Sequence, residues 1–161
     1  MTSVPMAITM GDASGVGPEI VLRRAADGAL RDGATVVFGD VAILEHGREL
    51  LGLSVPIQAV EAGGQCHPGV LCVVDAGLLS AADHRPGGLD AASGAAARAY
   101  VAAATDAALA GEVAGIVTMP MNKEATQLTD PTFVGHTEFI AERCGAASVT
   151  MMLTADTPHG S

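Results

Sequence analysis

The chain has 161 residues, a formal net charge of −10, an apolar fraction of 49% and no tryptophan. That length normally makes one domain and can bury a core, which must be aliphatic and alanine-rich because only one Tyr and three Phe are present. The negative charge argues against nucleic acid as a partner, since phosphate backbones are gripped by clustered Lys and Arg, so an anionic ligand has to be held by local donors rather than by the overall field.

Met6-Ala7-Ile8-Thr9-Met10 is a short apolar run ahead of a glycine cluster and predicts a buried strand. Pro18 suits the first position of a helix, Glu19 its first turn, and Ile20-Val21-Leu22 carries it to about Ala26. Thr35-Val36-Val37-Phe38 predicts a second strand, stopped by Gly39-Asp40, and Val41 to Leu51 a helix with Val41, Leu44 and Leu51 on a rough stripe. Pro56 to Val60 reads as a short strand, Glu61 to Gly69 as a glycine-rich loop, and Val70-Leu71-Cys72-Val73-Val74 as the clearest strand. After a loop around Pro86, alanines dominate from Leu89 to Leu109 and predict a long helix, with Gly111 as its stop. Ala114 to Thr118, ended by Pro120, and Ser148 to Leu153 complete the strands. Strands alternate with helices and are apolar on both faces. The expected fold is α/β, a mixed or largely parallel sheet covered by helices.

Other features narrow the class. Cys66, Cys72 and Cys144 form neither a Cys-x-x-Cys nor an even set, so no disulfide framework or zinc knuckle is indicated. His46, His67, His84 and His159 have no sequence neighbours that suggest chemistry, and no group of carboxylates and histidines stands at metal-ligand spacing. The stretch Ala95 to Ala110 is too short, and too interrupted by Arg98 and Asp106, to span a bilayer. The first residues lack the basic and apolar regions of a signal peptide. The expectation is a cytoplasmic protein without a membrane partner.

Three stretches carry candidate chemistry. In Gly135-His136-Thr137-Glu138 a loop becomes a helix that runs through Phe139 to Arg143 and stops near Gly145. Thr137 is expected at the N-cap, and the free first-turn N–H groups, with His136 beside them, suit a phosphate or carboxylate oxygen. A capped helix with a surface histidine fits the same spacing. The run Gly11-Asp12-Ala13-Ser14-Gly15-Val16-Gly17, with a second strand ending at Asp40, imitates a dinucleotide-binding turn, but the glycines do not follow Gly-x-Gly-x-x-Gly. Asp12 and Glu19 would also crowd a pyrophosphate, and a tight turn needing glycine is the simpler account. Asn122 and Lys123 follow a strand end, where α/β proteins place ligands; an exposed helix-start lysine is equally compatible.

These stretches resemble, in order, the motifs of the 4-hydroxythreonine-4-phosphate dehydrogenase family. Gly11 to Glu19 is similar to its Gly-Asp/Glu-Pro-Ala-Gly-Ile-Gly-Pro opening, with Ala13 where proline is usual. Thr118-Met119-Pro120-Met121-Asn122-Lys123-Glu124-Ala125 is similar to its Ala-Pro-Ile-Asn-Lys segment, Gly135 to Glu138 to its Gly-His-Thr-Glu signature, and Met151-Met152-Leu153 to the strand that follows. The resemblance spans nearly the whole chain and about the first half of the family's usual length. It implies that residues 1–161 are the N-terminal portion of a two-domain fold like that of isocitrate and isopropylmalate dehydrogenases, and a homodimer.

The implied reaction is oxidation of a phosphorylated hydroxy acid such as 4-phosphohydroxy-L-threonine. It uses NAD or NADP and a divalent metal (Zn, Mg or Co), proceeds with decarboxylation, and serves pyridoxal phosphate biosynthesis. By motif match His136 and Thr137 are substrate-binding residues, and Asp12, Asn122 and Lys123 are cleft candidates. The family's metal histidines lie beyond its Met-Met-Leu strand, which places them beyond Ser161, the last residue of this sequence. His159 comes too soon after Leu153 to stand for the first of them. No metal ligand is therefore expected here, and the chain alone is expected to be inactive. The Met121-to-Ala125 version is also similar to relatives acting on phosphothreonate or phosphoerythronate. A non-catalytic anion-binding or dimerisation module is the second class of reading.

Overall fold

The computed structural model describes residues 4–154. His159 and Ser161, on which the expected position of the metal histidines turned, lie outside the described residues. Strands β1 (Met6–Thr9), β2 (Thr35–Gly39), β3 (Ile57–Ala59), β4 (Leu71–Asp75) and β5 (Ile116–Thr118) form one sheet in the order β3-β4-β2-β1-β5. Every pairing is parallel. Val36, Val37 and Phe38, in the middle of the sheet, are all buried, as expected for a continuous apolar strand covered on both faces.

The helices are α1 (Gly17–Ala26), α2 (Val41–Leu50), α3 (Ala91–Leu109), α4 (Lys123–Gln127) and α5 (His136–Arg143). From β1 the chain steps through α1 and α2 toward the β3 edge, then returns through α3 to β5 on the far side of β1. Right-handed crossovers in opposite directions put helices on opposite faces. Accordingly α1 packs on α2, while α3 packs on β1, β2, β5, α4 and α5.

Alanine explains how α3 fits. Its inward side carries Ser93, Gly94, Ala96, Ala97, Tyr100, Val101 and Ala104, mostly small, so the helix lies close to the sheet. Asp90 caps it, the carboxylate accepting from Ser93 N–H at 2.7 Å. Gly94 lets α4 approach: a Cβ there would run into the backbone of Ala125 and Thr126.

Two expectations need correction. Ser148 to Leu153 is not a strand; it is exposed coil, with Met152 81% and Leu153 90% exposed. A strand needs an edge to pair with. Both flanks of β1 are taken by β2 and β5, and among the described residues this segment pairs with neither sheet edge. The N-cap of α5 is Gly135 rather than Thr137, which is the second helical residue and makes no capping bond.

Candidate functional site

The strand order reverses direction at β1, so the loops leaving β1 and β5 diverge and open a crevice at their carboxyl ends, the usual ligand position in open α/β sheets. The two loops are stitched together: Asp12 N–H donates to Pro120 C=O at 3.1 Å, and Met119 N–H to Thr9 C=O at 3.3 Å. Gly11 adopts φ +77°, and a Cβ there would strike the Pro120 carbonyl, so the close approach requires glycine. The resulting cleft, 380 Å³, is lined by Asp12, Ser14, Gly87, Gly88, Met121 and Asn122 among others.

Asp12 is 2% exposed. Its Oδ1 accepts from Ser14 N–H at 2.8 Å. Burial pushes its carboxyl above the usual range and the Asp90 charge adds to this, while the backbone N–H groups of Ser14 and Asn122 pull the other way. Ser14 Oγ meets Ser93 Oγ at 2.9 Å, and Gly87 N–H donates to Ser14 C=O at 2.7 Å, so α3 and the 87–88 loop close the back of the cleft. Asn122 caps α4 through its side-chain oxygen, which accepts from Ala125 N–H at 3.2 Å. Its amide N–H groups remain for a ligand. Lys123 opens α4, exposed beside the cleft rather than lining it.

His136 and Thr137 stand apart from this lining. Both are half-buried at the start of α5, whose first N–H groups point outward from the helix. Among the described residues His136 Nε2 is a buried nitrogen with no hydrogen-bond partner, and burial lowers the imidazole pKa. A neutral ring with an unsatisfied nitrogen beside a helix start is a polar group awaiting a partner. Glu138, in the same first turn, folds back toward Gly135, its Oε2 within 3.2 Å of where a Cβ would be, and opposes an incoming anion.

The helix α5 leans on α3. Arg143 forks onto Asp106, Nε to Oδ1 at 2.7 Å, and Arg98 lies over the Phe139 ring. Arg98 is five residues along α3 from Ser93, about 7.5 Å of helical rise, so α3 touches both the back of the Asp12 cleft and α5.

The dinucleotide reading fails at Asp40. This side chain is fully buried and accepts from Leu78 N–H at 2.8 Å, from Leu79 N–H at 3.1 Å and from Tyr100 O–H. It has nothing left for a ribose. Among the described residues no three His, Cys, Asp or Glu side chains converge as metal ligands, so these residues do not by themselves fit a divalent ion. Another cavity, 490 Å³, includes Gly33, Cys66 and Glu112, at or near the amino ends of strands, opposite the crevice. Cys66 there is pushed up to about 12 by burial first, then by its contact with Cys72, and is a neutral thiol.

Sequence reasoning missed several contacts. His46 and His84 are not isolated: their Nδ1 atoms are 3.3 Å apart. Ser93 and Tyr100 gave no local signal, because their partners lie 79 and 60 residues away in the chain. The Asp90 cap of α3, three residues before Ser93, went unread as well.

A parallel α/β sheet with a crevice at its topological switch point is the open-sheet class, in which such crevices are the usual place for ligands. The family model of the pyridoxal phosphate biosynthetic protein PdxA matches residues 31–157, and the chain belongs to that family. It is 39% identical to the 4-hydroxythreonine-4-phosphate dehydrogenase of Beijerinckia indica subsp. indica, the match covering 97% of this chain and 46% of that protein. It is 35% identical to the D-threonate 4-phosphate dehydrogenase of Pectobacterium atrosepticum, over 94% and 47%. The solved 4-hydroxythreonine-4-phosphate dehydrogenase of Burkholderia phymatum superposes with a TM-score of 0.85 at 34% identity, over 96% of this chain and 48% of that one. The chain spans about half the length of the curated relatives it matches. No described helix is long and apolar enough to cross a membrane.

Proposed function

We propose that this chain supplies the N-terminal half-site of a PdxA-family dehydrogenase that oxidises a phosphorylated hydroxy acid. The observation that carries the reading is the unpartnered, buried His136 Nε2 at the open start of α5. His136 donates through Nε2, and the first-turn N–H groups of α5 and the Thr137 hydroxyl donate beside it, to the phosphate or the substrate's hydroxyl oxygen. Asn122 from the Asp12 cleft, and the exposed Lys123 beside it, hold the carboxylate end. In a complete enzyme of this kind NAD or NADP would serve as the hydride acceptor and a divalent metal would supply Lewis-acid polarisation. No set among the described residues fits either group, so this chain's part is binding and orientation. We expect the isolated chain to bind without turnover.

The favoured substrate is 4-phosphohydroxy-L-threonine, in pyridoxal phosphate biosynthesis, with a cytoplasmic homodimer as the working assembly. A phosphothreonate or phosphoerythronate substrate is the second reading, favoured by the Met121-Asn122-Lys123-Glu124-Ala125 run and by relatives named for D-threonate 4-phosphate. Isothermal titration of the two phosphorylated acids into the chain, with His136→Ala as control, tests the reading. Saturable binding that weakens at least about tenfold in the variant supports it, a loss of about 1.4 kcal/mol. Binding indifferent to His136 overturns it.

A further inference from the structure

We infer that Arg98 is a positioning residue for the half-site: it clasps α5 and the loop before it, and so sets the direction in which His136 and Thr137 face. The inference rests on the reading of α5 as the anion-binding helix. No residue of α5 is fully buried, so its rotation about its axis depends on a few contacts. Two of these come from α3. At the far end Asp106 holds Arg143. At the near end the Arg98 guanidinium lies 5.7 Å over the Phe139 ring centroid, and its NH1 is 3.6 Å from Asp130 Oδ2 in the α4–α5 loop.

Phe139 stands three residues after His136, on the same side of the helix. Fixing its ring therefore fixes the azimuth of His136. The ring also tilts against Phe133, 5.9 Å between centroids, and Phe133 is 4% exposed, with its carbonyl accepting from Gln127 Nε2 at 2.8 Å. Arg98 Nε is buried without a partner, so the guanidinium is held chiefly by its flat face and by Asp130 rather than by a fork of hydrogen bonds. A planar cation suits that seat and an ammonium does not.

The test uses the 161-residue chain with inorganic phosphate as probe, in parent, Arg98→Ala, Arg98→Lys and Asp106→Asn forms. Hydrogen exchange at the Phe139 and Cys144 amides and the NMR titration of the His136 ring report the placement of α5 directly. Arg98→Ala is expected to speed exchange at Phe139 by about tenfold, to move the His136 midpoint up toward an ordinary histidine, and to weaken phosphate binding by a similar factor. Arg98→Lys falls between, and Asp106→Asn speeds exchange at Cys144 while leaving His136 unmoved. An Arg98→Ala chain with unchanged exchange, titration and binding overturns the inference and leaves the anion reading standing. A parent that binds no phosphate, with α5 still freed by Arg98→Ala, sinks the anion reading and keeps the clasp. Should the alanine variant fail to fold, Asp130→Asn replaces it; an unmoved His136 midpoint in both Asp130→Asn and Arg98→Lys then overturns the clasp.

Discussion

Replacing Tyr100 with phenylalanine isolates the contact that keeps Asp40 out of ligand chemistry. The hydroxyl donates to the Asp40 carboxylate, and both side chains are buried. Burial first, and the bond to Asp40 second, push the phenol pKa well above its ordinary range, so it stays a donor at every working pH. The ring and its packing survive the change; one hydrogen bond to a buried carboxylate is lost, while the Leu78 and Leu79 N–H donors remain. Hydrogen bonds to charged groups contribute about 1.5–3 kcal/mol. For a chain of this size each kcal/mol moves the melting temperature by about 2–4 °C, so Tyr100→Phe is expected to lose about 3–12 °C. Urea denaturation followed by circular dichroism measures it, with an unchanged m-value showing that only stability moved. A variant within about 0.5 kcal/mol of the parent, the range of an inconsequential surface change, would refute the claim that Asp40 is a structural clamp.

Gly94→Ala drives a methyl into the Ala125 and Thr126 backbone and is expected to cost about 1–3 kcal/mol by overpacking, read by the same denaturation; a neutral result would mean that α4 does not lie against α3 as described. Stability is expected to fall on acidification. Burial depresses the pKa of both His84 and His136, so below the ordinary histidine value of about 6.5 the unfolded chain binds more protons than the folded one. Their contribution is complete above that pH and is lost as pH drops toward the folded values. Melting curves between about pH 7.5 and pH 5.5 test this, and His84→Gln with His136→Gln should flatten the slope. Ser93→Ala removes the Ser14 hydroxyl's partner at the back of the cleft and is expected to destabilise by about 1 kcal/mol, checked by thermal unfolding.

The sheet was legible because its signal is local. Runs such as Val36-Val37-Phe38 and Leu71-Cys72-Val73 are apolar without alternation, and only strands covered on both faces read that way. The turn at Gly11 was legible for the same reason, since a cluster of glycines between a strand and a helix announces backbone that must come close to something. What it approaches, the Pro120 carbonyl, depends on β5 joining β1, a pairing over a hundred residues apart. Met151-Met152-Leu153 shows the converse. Its composition suits a strand, but strandedness is a property of a pair, and none of the described strands accepts it. Thr137 failed as a cap because capping is decided by where the backbone turns helical, two residues earlier than the hydroxyl pattern suggested. At the candidate site, Asp12 and Asn122 were legible from strand ends. Ser14 with Ser93, and Arg98 with Phe139, were not, because the topology alone brings α3 to both.

The most direct test of the account is an amide shift map of the chain titrated with a phosphorylated hydroxy acid. The account predicts that the resonances of His136, Thr137 and Glu138 move saturably, together with Asn122, while the glycine-rich loop around Cys66 at the opposite end of the sheet stays still. Shifts confined to that loop, or none at the start of α5, would contradict it.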